Sequence, residues 1–81
     1  MSQPVQMTVR RLHERMQAAD SRTTFYVPVA DGRRARVLET RMYDDRGATR
    51  VQVTTDIWAL HPLADGVITV EMTLARRAPL G

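Results

Sequence analysis

The hydrophobic pattern changes its period once, at Asp20–Thr23, and does not change back. Before that point Val5, Val9, Leu12, Met16 and Ala19 recur at spacings of four, three, four and three, the stripe of an amphipathic helix. After it, apolar and polar residues alternate, as in strands with one buried face. One helix followed only by strands has a simple two-layer solution, the helix laid across one face of an antiparallel sheet. The expectation is an α+β fold of order α-β-β-β-β, a single domain over 1–81, with helix 4–20 on a four-stranded meander of strands 23–30, 33–43, 49–59 and 67–75. Pro4 suits the first helical turn, with Ser2 or Gln3 as the cap.

The turns fix which strand residues face the core. Thr23, Phe25, Val27 and Val29 share one face, and Pro28 has no amide hydrogen for a ladder, which places this strand on an edge along that side. A two-residue turn at Asp31-Gly32 sets Val27 against Arg36, mixing core and charge. A three-residue loop with Gly32 in the left-handed region instead sets Phe25 against Val37, Val27 against Ala35 and Tyr26 beside Arg36. The next loop, Asp44-Asp45-Arg46-Gly47, reads as four residues and pairs Met42 with Thr49, Thr40 with Val51 and Leu38 with Val53. The first hairpin thus needs odd residues of the second strand inside, and the second needs even ones. A β-bulge near Val37–Leu38 reconciles them. Val51, Val53, Thr55 and Ile57 complete the inward set on the third strand, and Ile68, Val70, Met72 and Leu74 on the last.

Such a core is small for 81 residues, and with no cysteine neither disulfides nor a thiolate metal site can brace it. That favours stabilisation by self-association or by a partner. No apolar run is long enough for a membrane span, and the start lacks the basic and apolar regions of a signal peptide, so a cytoplasmic protein without membrane contact is expected. All 12 basic residues are arginine, but the net charge is only +3, which permits a nucleic-acid partner without demanding one.

Catalytic chemistry finds little to stand on. Ser2 and Ser21 flank the helix, no threonine lies in a nucleophile motif, and no glycine loop suits a phosphate. His13 borders the apolar stripe, His61 precedes Pro62, and neither has metal-ligand spacing, so no metal and no cofactor are expected. A metal-independent ribonuclease-like enzyme could draw on His61, Glu71, Arg76 and Arg77.

The outer face of the sheet is richer. It shows Tyr26 next to Arg36, Arg41 opposite Arg50, and Trp58 at the end of the third strand. Arginines interleaved with aromatics can hold single-stranded nucleic acid, whereas Glu39, Asp56 and Glu71 on the same face could pair with them and leave a solvated surface. Trp58 either covers the end of the core with Leu60 and Leu63 or stands out as a binding anchor. The leading expectation is a non-enzymatic protein-interaction module, a homodimer through a sheet edge or an inhibitor or adaptor of a larger complex. Size and the absence of lysine fit a phage or mobile-element inhibitor of anti-CRISPR type. A nucleic-acid-binding module using Tyr26, Arg36, Arg41, Arg50 and Trp58 is the alternative.

Overall fold

The computed structural model describes residues 3–74 and shows an α+β fold: one helix and a six-stranded antiparallel sheet curled into a half-barrel. The elements are β1 (Val5–Thr8), α1 (Val9–Ala18), β2 (Thr23–Pro28), β3 (Arg34–Asp45), β4 (Ala48–Thr55), β5 (Ala59–Leu60) and β6 (Val67–Leu74). Strand order is β1-β6-β2-β3-β4-β5, so the chain does not form the simple meander expected: its last strand inserts between the first two.

The expected helix 4–20 divides at Thr8. Its first turn is instead β1, which pairs with β6 from Val5–Val70 to Thr8–Val67, and Val5 is 49% exposed rather than part of the helical stripe. Thr8 is the helix cap, in place of Ser2 or Gln3. Its backbone is extended and its hydroxyl accepts from the Arg11 amide at 3.1 Å. The next two orphan donors are satisfied from the 61–66 loop: Val9 N donates to Gly66 O at 2.9 Å and Arg10 N to Ala64 O at 3.2 Å. A side chain at Gly66 would meet Leu63 O at 3.0 Å, so this close approach favours glycine.

Val9 and Leu12 from the helix meet Phe25, Val27, Val37, Val51, Val53 and Val70 from the sheet in one buried core. Val51, Val53 and Val70 alternate with more open neighbours, as the two-residue period requires. Pro28 does not make β2 an edge strand, because β2 lies between β6 and β3. It sits past the last β2–β6 pair, Tyr26–Glu71, so its missing donor faces no neighbour there.

The first hairpin has the expected register, with Val27 opposite Ala35 and Tyr26 opposite Arg36. Gly32 takes φ 73° and Asp31 takes φ 74° in its loop. The bulge is present as well, a register shift in the β3–β4 ladder between Val37 and Glu39. The second hairpin differs: its loop is Arg46-Gly47 alone, with φ 54° and 85°, a type I′ turn closed by Asp45 and Ala48. Met42 therefore faces Val51 and Thr40 faces Val53, two residues from the expected register. Strand 49–59 is also shorter than expected. It ends at Thr55, whose hydroxyl accepts from Trp58 N at 3.0 Å and donates to Trp58 O at 2.9 Å. The chain folds back as β5, with Leu60 opposite Val53, and Ile57 is 60% exposed at the apex instead of facing the core. No described helix is long and apolar enough to cross a membrane.

Candidate binding surface

Side chains on the outer face gather in two groups. At one end the Arg34 guanidinium lies 4.7 Å from the centre of the Tyr26 ring and reaches Glu71 Oε2 at 3.2 Å. At the other, Arg50 donates to His61 O at 2.9 Å, and its Nε lies 2.8 Å from Asp45 Oδ2, a close ion contact without hydrogen-bond alignment. The Tyr43 hydroxyl and His61 Nδ1 share a hydrogen bond of 3.1 Å, with the two rings edge to face.

Four of the five expected binding residues share this face, and one of the two expected pairs forms. Arg36 stands opposite Tyr26 as read from sequence. Arg41 faces Gln52 and Arg50 faces Tyr43, so the like-charge pair Arg41–Arg50 does not exist. Trp58 is off the face. It sits half-buried in the turn after β4 and packs against the core, the first of its two readings. Tyr43 and His61 were missed as members of the surface because the two-residue register error paired Arg50 with the wrong strand position, and Arg34 because its contacts with Tyr26 and Glu71 depend on β6 lying beside β2.

The carboxylates are mostly spent. Glu71 holds Arg34, Asp45 holds Arg50, and Asp56 accepts from the Arg36 amide at 3.1 Å. Among the described residues, Arg36, Glu39 and Arg41 have no ion-pair partner. Of the ribonuclease set, Glu71 on β6 and His61 after β5 stand four strand positions apart, while Arg76 and Arg77 lie outside the described residues. His13 Nδ1 meets Thr40 Oγ1 at 3.0 Å, tying helix to sheet. The described residues hold no cluster of three or more groups suited to a metal ion.

A second surface follows from the bulge. β2 pairs with β3 at only three positions, Tyr26–Arg36 to Pro28–Arg34. Beyond Val37, β3 pairs with β4 alone, down to Asp45–Ala48. Among the described residues nothing bonds to the other edge of Leu38–Asp45. Geometry tells which groups face that way. A two-residue turn makes its closing pair, Asp45–Ala48, a hydrogen-bonded one, and bonded pairs alternate along the ladder. Asp45, Tyr43, Arg41 and Glu39 thus bond to β4, and Asp44, Met42, Thr40 and Leu38 direct their backbone groups outward. The same alternation sends Val51 and Thr49 toward the far side of β4, where Val51 N donates to Pro62 O at 3.2 Å and Thr49 O accepts from Ala64 N at 3.0 Å.

Where β2 and β3 part, a cleft of about 240 Å³ opens between them and the end of α1, with Met16, Phe25, Val37 and Leu38 among its walls. Leu38 is 56% exposed beside it, and Met42 is 37% exposed further along the edge. The chain matches no protein-family model, no curated protein and no solved structure.

Proposed function

We propose that this protein is a non-enzymatic protein-interaction module, an inhibitor or adaptor that engages its partner by strand addition to β3. One observation carries the reading: the outward edge of Leu38–Asp45 has no backbone partner among the described residues and is bordered by exposed Leu38 and Met42. An open edge offers a row of donors and acceptors to an extended chain, and side chains on either face set specificity. The outer-face charges Glu39 and Arg41, on the same stretch, supply polar selectivity.

A photo-crosslinking side chain placed at Met42 should yield a discrete protein adduct, reduced strongly by Asp44→Pro, which removes an outward amide without touching the β4 ladder. Adducts of equal yield at the outer-face position Thr54, or adducts at Met42 indifferent to Asp44→Pro, would contradict it.

Nucleic-acid binding is the second reading, favoured by the absence of a carboxylate partner for Arg36 and Arg41 among the described residues. Its weakness is the aromatics: Tyr26 is covered by Arg34, Tyr43 is tied to His61, and Trp58 turns to the core, so base stacking has no free ring on that face. Labelled oligonucleotides at two salt concentrations separate the readings, because phosphate binding weakens steeply with salt.

A further inference from the structure

We propose that the occupant of the β3 edge is the same edge of a second copy, paired antiparallel about a two-fold axis through Thr40. This rests on the strand-addition reading above and names its partner.

The sequence of the free edge is self-complementary in that register alone. With Thr40 opposite Thr40 of the second copy, Glu39 stands opposite Arg41 and Leu38 opposite Met42, each pair occurring twice. Glu39 and Arg41 lie on the outer face, facing Thr54 and Gln52 within the chain, and among the described residues neither has an ion-pair partner. Opposite charges directly across a ladder favour pairing, and like charges oppose it. Leu38 and Met42 are among the exposed large hydrophobics, and this pairing would cover both.

Hydrogen bonding also selects the register. Leu38, Thr40 and Met42 direct their backbone groups outward, so Thr40–Thr40 and Leu38–Met42 become bonded pairs. Moving the axis to Arg41 keeps outward groups together but sets arginine against arginine. Moving it to Met42 sets Glu39 against Asp45 and Leu38 against Arg46. Each alternative puts like charges opposite one another or apolar against charged. A two-fold axis makes the contact isologous and closed, so a dimer forms without further growth at that edge.

Sedimentation equilibrium of the full chain across micromolar to millimolar concentration reads the association. Glu39→Arg alone and Arg41→Glu alone each create two like-charge pairs and should weaken the dimer roughly tenfold. The double exchange Glu39→Arg with Arg41→Glu restores opposite charges and should return affinity to within about threefold of the parent. Neither side chain faces a charge on β4, so circular dichroism should be unchanged in all three. Met42→Pro should abolish the dimer. A monomer throughout the concentration range overturns the proposal, and so does a dimer in which the double exchange is no better than the singles. Strand addition itself fails separately, if the Met42 crosslink captures no protein at all. Capture of a different protein by a chain that stays monomeric keeps the function and rejects the second copy.

Discussion

The two halves of β3 belong to one continuous strand and live in different surroundings. From Arg34 to Arg36 the strand pairs with β2, Asp56 just past β4 bonds the Arg36 backbone from the other side, and Ala35 and Val37 are buried. From Leu38 onward it has β4 on one side and no strand on the other. One inserted residue at the bulge separates these regimes. It reverses which parity faces the core and bends β3 away from β2, so that the strand exchanges pairing with β2 for pairing with β4 and leaves its other edge open. The inner half contributes packing, and the outer half offers unpaired backbone to something else. Stability and recognition are therefore divided along a single element.

The largest expected contrast lies in side-chain deletion on either side of this division. Phe25→Ala, beside the paired half and 3% exposed, should cost about 3–5 kcal/mol in a denaturant titration, whereas Leu38→Ala at the bulge should cost less than about 0.5 kcal/mol. Equal losses would mean that the outer half is packed after all. Next comes the turn that fixes the outer register. Gly47 takes φ 85°, so Gly47→Ala should lower stability by roughly 1–2 kcal/mol in thermal melting while Phe25 and Val27 keep their environment. A neutral result would argue for a turn other than type I′.

Helix placement gives a smaller effect. Thr8→Ala removes the acceptor for the Arg11 amide and should cost about 1 kcal/mol, and Gln3→Ala, at an exposed position outside the helix, should cost nothing. The smallest concerns Asp20, whose carboxyl is held below its usual value by side-chain and backbone hydrogen bonds from Arg22. A lowered folded-state value gives stability that is complete above the unfolded carboxylate range and is lost as pH falls through the folded one. Because both side chains are about half exposed to solvent, an acid titration of Arg22→Ala against the parent should show only a slight difference, confined to that acidic window.

Much of this division was readable in the chain. The bulge was legible because two hairpins made opposite demands on one strand, a conflict visible in the positions of Val37, Leu38, Thr40 and Met42 alone. The second register was not. Asp44-Asp45 has the chemistry of a loop, and arginine at positive φ is uncommon, so Arg46-Gly47 did not announce itself as a complete turn. The slip was by two residues, which preserves parity. Val51, Val53 and Thr55 therefore came out on the core face while their cross-strand partners came out wrong, and Arg41 was matched with Arg50 instead of Gln52. β1 was hidden for a different reason: the spacing from Val5 to Val9 to Leu12 imitates a helical stripe, and only tertiary pairing with β6 shows that Val5–Thr8 are extended. The missing ladder between β2 and the far half of β3 has no local signature at all.

Amide hydrogen exchange along β3 in the dilute monomer tests the central claim most directly. Arg41, Tyr43 and Asp45, bonded to β4, should be protected, while Thr40, Met42 and Asp44 exchange close to unfolded rates in strict alternation. Uniform protection from Glu39 to Asp45 would show that the outer edge is already paired, and would contradict the account.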